Sequence, residues 1–245
     1  MGRKRIDLVL VERGLFESRA KARAAIEAGR VEAGGRLVLR PSEMVEEGDP
    51  IAAEPAHPWV GRAALKLDHA LNLWPIPTSG RRVVDIGAST GGFTEVALAR
   101  GAAHVLAVDV GRDQLHPKLR SDPRVTSLEG TDARHLRPDQ LGVFDLIVCD
   151  VSFISLTKAL PAVLAAAAPR CDLVCLVKPQ FEVGPERVGR GGLVRDPEAR
   201  QMALDAAKAF LTDSGWTVRE TAPSPITGGD GNIEYLLWAQ KRPPA

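Results

Sequence analysis

The chain has 245 residues, a net charge of +1, 44% hydrophobic and 26% charged residues, a composition ordinary for a globular protein of one large domain or of a small and a medium one. Its longest alanine-rich apolar stretch, LPAVLAAAA, falls far short of the ~20 residues a membrane-spanning helix needs. Cys149, Cys171 and Cys175 sit in apolar, strand-like runs and the histidines are scattered without ligand spacing, so neither disulfides nor a metal site are expected; an odd cysteine count without a signal peptide points to the reducing cytosol, hence a cytoplasmic protein.

The near-neutral total hides an asymmetry. Residues 1–40 hold ten Lys and Arg against five acids, which leaves the rest of the chain with a net of four negative charges. A basic leading module on a mildly acidic body suits contact with a polyanion. RIDLVLVERG opens a short helix and SRAKARAAIEAG predicts a second, with Ser18 as N-cap, Ala22, Ala25 and Ile26 as the apolar stripe, and Gly29 as the stop. Short strands follow at RVEAG and RLVL around a Gly34-Gly35 turn, and EEGDPI turns into another brief strand. AEPAHPW, stiffened by Pro55 and Pro58, reads as a linker. The expected division is therefore a small domain over 1–54, a linker over 55–60 and a larger domain over 61–245. VGRAALKLDHALNLW then predicts a helix with Ala63, Leu67, Ala70, Leu71 and Trp74 on one face and Lys66 beside it.

VVDIGASTGGF, Val83 to Phe93, is a buried strand running into a glycine turn, with an amphipathic helix following at once. Glycines there let a ligand lie against the main chain at a helix N-terminus. The next strand, HVLAVDV, carries Asp109, 24 residues after Asp85, near the distance at which Rossmann-type folds set a carboxylate against ribose hydroxyls. The turn lacks the G-x-G-x-x-G of dinucleotide binders, and no phosphate-loop motif occurs. Beyond it, a helix near Gln114 to Arg120, the strand VTSLEG, the strand VFDLIVCD, the helix SLTKALPAVLAAAA, the strand DLVCLVKP, the helix PEARQMALDAAKAFLTDSG and the strands WTVRETAP and IEYLLWAQ alternate. Such alternation predicts a mostly parallel sheet with helices on both faces. Asp150 and Lys178 close neighbouring strands, at the rim where open α/β sheets bind ligands.

Two resemblances sharpen these expectations. The run from RIDLVLVERG to EEGDPI resembles the S4-like RNA-binding domain, with Gly34 where that family often has Asn. The resemblance makes the basic side chains of the leading segment, second helix and following turn candidate RNA contacts: Arg3, Lys4, Arg5, Arg19, Lys21, Arg23 and Arg30. The run D-x-G-A-S-T-G-G-F resembles the cofactor turn of S-adenosylmethionine-dependent methyltransferases, more narrowly the FtsJ-like ribose 2'-O-methyltransferases. That family's Lys-Asp-Lys-Glu set corresponds here to Lys66, Asp150, Lys178 and Glu234. The combination of VGRAALK, DIGASTGGFTE, DVSFIS, LVKPQFEVG and GNIEY resembles the TlyA or haemolysin A family over essentially the whole chain, with Gly61 replacing a serine.

The resemblance implies an α/β fold: a class I, Rossmann-like methyltransferase domain, its last strand antiparallel, behind a small α+β S4-like domain. It implies S-adenosyl-L-methionine as cofactor, bound by Asp85 and by the backbone from Gly87 to Phe93 (Gly87, Ser89, Thr90, Gly91, Gly92, Phe93), which takes its methionine end, with Asp109 at the ribose and Asp132 at the adenine amine. The implied activity is 2'-O-methylation of ribosomal RNA at a cytidine ribose, with ribosomal RNA or a ribosomal subunit as partner, no membrane, and oligomeric state left open. Lys178 either takes the hydroxyl proton or only orients the hydroxyl. The loop from Phe181 to Pro197, rich in Gly and Arg, reads as a mobile cover that touches RNA phosphates. Asp150-Val151-Ser152-Phe153 lacks the prolines of amino-group methyltransferases, which disfavours base methylation. The short tail QKRPPA leans towards a large-subunit-only enzyme. The alternatives are a non-catalytic RNA-binding or ribosome-assembly protein and a membrane-lytic haemolysin.

Overall fold

The structure, a computed structural model, describes residues 2–241. By contacts it divides into two units, Met1–Pro58 and Trp59–Ala245.

The first unit opens with β1 (Arg3–Arg5), α1 (Ile6–Glu12) and α2 (Arg19–Glu27), followed by β2 (Val31–Ala33), β3 (Arg36–Leu37), β4 (Met44–Glu46) and β5 (Ile51–Ala53). The Ser18 side chain accepts the Lys21 N–H at 3.3 Å, the N-cap expected from sequence. Ala22, Ala25 and Ile26 are fully buried against Ile6, Val9, Leu10 and Val31. β3-β2-β5 form one antiparallel sheet. Its hairpin turns on Gly34 and Gly35 with φ of 57° and 74°, the double left-handed geometry that two-residue hairpins demand. β1 and β4 make a second pairing, Arg3 opposite Glu46 to Arg5 opposite Met44. The predicted helix at RIDLVLVERG therefore begins only at Ile6, because the residues before it are extended to meet a strand 40 positions away.

The second unit starts with α3 (Ala64–Leu73) and continues through β6 (Arg82–Ile86), α4 (Gly92–Ala99), β7 (His104–Asp109), α5 (Pro117–Arg120), β8 (Val125–Glu129), α6 (Pro138–Leu141), β9 (Leu146–Cys149), α7 (Leu156–Ala159), α8 (Pro161–Ala166), β10 (Cys171–Val177), α9 (Pro179–Glu182), α10 (Pro197–Asp213), β11 (Thr217–Pro223) and β12 (Tyr235–Lys241). Seven strands form one sheet, ordered β11-β12-β10-β9-β6-β7-β8. β10, β9, β6, β7 and β8 run parallel, while β12 lies antiparallel between β10 and β11. Strand residues alternate between two cores: Leu146 and Val148 pack with α3 and α4, Ile147 and Cys149 with α7, α8 and α10. Burial on both faces explains why these strands read as continuous apolar runs. The three cysteines are free and buried.

Two sequence expectations shift. The helix read across SLTKALPAVLAAAA is broken at Pro161, which starts α8 at its first position because proline lacks the N–H an unbroken helix would use. The helix expected from Gln114 is confined to Pro117–Arg120; the Gln114 and Leu115 amides instead bond the Glu129 carboxylate at 2.7 and 2.9 Å.

Candidate active site

The strand order reverses between β6 and its two parallel neighbours β7 and β9, and such a switch point opens a crevice at the carboxyl ends of the strands. Gly87 leaves β6 there with φ of 82°, and a Cβ on it would stand 2.7 Å from the Asp150 carbonyl oxygen. No other residue fits without moving that carbonyl. Gly91 caps α4 in the left-handed region, and a Cβ on Gly92 would meet the Ala64 N of α3 at 2.9 Å. The turn is thus packed directly against the start of the helix that carries Lys66.

A cavity of about 750 Å³ opens beside this turn, lined by Gly87, Ser89, Asp109, Asp132, Asp150 and Phe153 among others. Asp109 accepts the Ser89 N–H and the Gly111 N–H, each at 2.7 Å, which joins the turn to the end of β7. Asp132 takes the Arg134 guanidinium and backbone N–H on its carboxylate, and the Arg134 hydrogen bonds hold its carboxyl down at about 2. Asp85, Thr90, Gly91, Gly92 and Phe93 do not line the cavity. Asp85 is fully buried beneath the turn, where it accepts the Thr94 hydroxyl at 2.7 Å, and desolvation pushes its carboxyl up to about 7. Thr90 faces Gly61: a Cβ at 61 would lie 2.7 Å from the Thr90 Oγ1.

At the cavity's edge the four charged residues predicted from sequence meet. Lys66 Nζ lies 3.2 Å from Asp150 Oδ2 and 2.7 Å from Glu234 Oε2. Lys178 Nζ lies 2.6 Å from Asp150 Oδ1. All four side chains are at least nine-tenths buried. They come from α3 and from the ends of β9, β10 and the stretch entering β12, so only the folded sheet unites them. Burying two cations and two carboxylates is expensive unless each is paired, and here each is; such a cluster at a sheet mouth is a functional signature.

Sequence reasoning attached no role to Ser152 or Phe153. Lys178 donates to the Ser152 hydroxyl at 2.9 Å. Phe153 has φ of 64° and is 90% exposed, its ring 5.3 Å from that of Phe181. A large aromatic held out of the core in a left-handed conformation costs folding energy, and the run D-V-S-F, following a strand end, was the available signal.

The candidate RNA contacts all lie in the first unit, where most hold the unit together. Asp7, fully buried, is bonded by Arg5 at 3.0 Å and Arg19 at 2.8 Å, and the Arg5 hydrogen bonds lower its carboxyl below the usual range. Lys4 pairs with Glu12 and Glu47, Lys21 with Glu17, Arg30 with Glu54, and Arg3 donates to the Met44 carbonyl. Arg23 is exposed.

Sheet order, glycine turn and charged rim together define a class I methyltransferase. The family model described as FtsJ-like methyltransferase matches residues 59–241 and that of the S4 domain residues 4–51; the chain belongs to the FtsJ-like methyltransferase family. It is 47% identical over 239 residues to the Mycobacterium tuberculosis 16S/23S rRNA (cytidine-2'-O)-methyltransferase TlyA, covering 96% of this chain and 89% of that one. Hemolysin A of Brachyspira hyodysenteriae is 38% identical, with 95% and 98% covered. Campylobacter jejuni 23S rRNA (cytidine-2'-O)-methyltransferase TlyA is 38% identical, with 74% and 70% covered. A solved structure from Streptococcus thermophilus, provisionally named a hemolysin, superimposes with a TM-score of 0.77 at 39% identity, covering 99% of this chain and 90% of that one. An S-adenosylmethionine-dependent methyltransferase from Mesorhizobium loti, at 19% identity and a TM-score of 0.52 over 70% of this chain and 96% of its own, shares the fold.

Proposed function

We propose that the protein is an S-adenosylmethionine-dependent 2'-O-methyltransferase of ribosomal RNA, acting on a cytidine ribose in the cytoplasm. The observation that carries this reading is the meeting of Lys66, Asp150, Lys178 and Glu234 beside the cavity at the switch point. The cavity suits the cofactor: its volume is in the range of small-molecule sites, the Gly87 turn lines it, and Asp109 keeps lone pairs free for ribose hydroxyls. Asp132 lines the same wall, and its pairing with Arg134 must open before it can take an adenine amino group. Bound there, S-adenosylmethionine supplies a methyl group already made electrophilic by a positive sulfur.

The chain's own task is then to hold a sugar hydroxyl in line and receive its proton. As an amine, Lys178 has its two N–H groups facing Asp150 and Ser152, which leaves its lone pair for the 2'-hydroxyl proton. Asp150 bridges both lysines and fixes their separation; Glu234 anchors Lys66 from the other side. Lys66 steadies the negative charge that grows on the oxygen as its proton passes to Lys178. The ring of Phe153, standing at the cavity wall, offers a face on which the target base stacks.

The test is methyl transfer from labelled S-adenosylmethionine to ribosomal RNA, mapped by primer extension at low dNTP on both 16S and 23S RNA. Wild type produces a new stop, whereas Lys178→Ala produces none while keeping its cofactor affinity by isothermal titration. A wild-type protein that fails to bind the cofactor points instead to the assembly-factor alternative. Relatives named for haemolysis prompt the third reading; no helix of the described residues is long and apolar enough to cross a membrane, and a liposome-leakage assay is expected to be negative.

A further inference from the structure

The run from Phe181 to Pro197, read from sequence as a cover, is hydrogen-bonded at both ends. At its root the Glu182 carboxylate accepts the Leu156 N–H of α7 at 2.9 Å. At its far end Asn232, 2% exposed, accepts the Val194 N–H at 2.9 Å and donates to the Gly192 carbonyl at 2.8 Å. The two contacts need opposite ends of the amide, so one orientation alone satisfies both. Between the fastenings Arg187 and Arg190 stand exposed, and Phe181 at the root lines the cavity.

Asn232 also belongs to the loop that shapes Glu234. Its carbonyl accepts the Gly228 N–H at 2.9 Å, and the Glu234 carbonyl accepts the Ser224 N–H at 2.9 Å. Gly228 lies against the Glu234 carboxylate so closely that a Cβ would be 2.6 Å from Oε1. Two residues after Asn232, that carboxylate holds Lys66 at 2.7 Å. One short loop therefore carries both the strap's fastening and the partner of Lys66.

We propose that Asn232 is a positioning residue that couples the seating of the 183–194 strap to the Glu234–Lys66 pair, so that the arginine-bearing strap and the aim of the charged cluster are set together. The inference rests on the methyl-transfer reading above.

Asn232→Asp and Asn232→Ala in the full chain test it. The aspartate keeps the side chain's size and can accept from Val194, but sets an oxygen against the Gly192 carbonyl; should the alanine variant not fold, the aspartate variant carries the test. With a buried partner left unsatisfied, kcat on ribosomal RNA is expected to fall roughly tenfold to a hundredfold, with cofactor affinity by titration within about twofold of wild type, because no cavity-lining residue is altered. Lowering the pH from about 8.5 to about 6 restores activity to the aspartate variant relative to wild type, since a protonated carboxyl donates where the amide did; the alanine variant shows no such recovery. Cofactor affinity falling in step with kcat, unchanged kcat, or identical pH profiles for the two variants overturns the coupling alone. A wild type that transfers no methyl to ribosomal RNA overturns both the coupling and the reading beneath it.

Discussion

Asp85 shows how a single carboxyl can weaken a fold while serving its shape. Buried beneath the glycine turn with one hydrogen bond from Thr94, it is pushed by desolvation from the ordinary 3.8 up to about 7. Below about pH 4 it is protonated in folded and unfolded chains alike and contributes nothing. Between about pH 4 and 7 only the unfolded chain ionises, so the folded state loses stability as pH rises, and above about 7 the loss is complete. Comparing wild type with Asp85→Asn by denaturant unfolding, we expect the stability difference to move in the variant's favour across that window, by on the order of 4 kcal/mol at most. A difference that does not change with pH would show Asp85 ionised throughout. The same scale explains the fate of the basic residues. Arg5 and Arg19 look like free charges in the sequence, but Asp7, an acid on the first helix's inner face, recruits both, and only the fold reveals where an acid is buried.

Among the elements, the loop from β9 to α7 carries Asp150, Ser152 bonded to Lys178, and the outward ring of Phe153. Phe153→Ala is expected to weaken use of ribosomal RNA about 5- to 150-fold in kcat/KM, the worth of one base stacked on an aromatic ring, with cofactor affinity unchanged in the same preparation; loss of cofactor affinity would assign the ring to the other ligand. Elements with a strong local signature were legible in advance. The Ser18 cap, the Gly34-Gly35 hairpin and the strand–glycine turn–helix around Gly87 each follow from residues within a few positions of one another. Asp150 and Lys178 were legible for the same reason, because each ends an unmistakable apolar run. β1 and β4 were not, since three residues show no period and their pairing spans 40 positions. Nor was the fastening of the strap by Asn232, because an amide 38 and 40 positions away from its partners leaves no local trace.

At the scale of the whole molecule, charge and chemistry are divided between two units. The basic surplus lies in residues 1–40, while the charged cluster of the second unit pairs two lysines with two carboxylates. If the first unit grips RNA through phosphate contacts, Arg23→Ala should weaken ribosomal RNA binding at low salt and reduce the slope of log affinity against log salt by about one, leaving cofactor titration untouched. An unaltered slope would remove Arg23 from the interface. Arg23 is the informative choice because Arg5 and Arg19 would lose Asp7 as well as any phosphate.

β12 is inserted between β10 and β11 although it comes after both in the chain. During synthesis β11 must therefore wait, its edge unfilled, for a strand not yet made, and the acid that anchors Lys66 arrives only with that strand. A copy still lacking β12 keeps the Asp150 bridge between the two lysines but not the strand that seats Glu234 against Lys66.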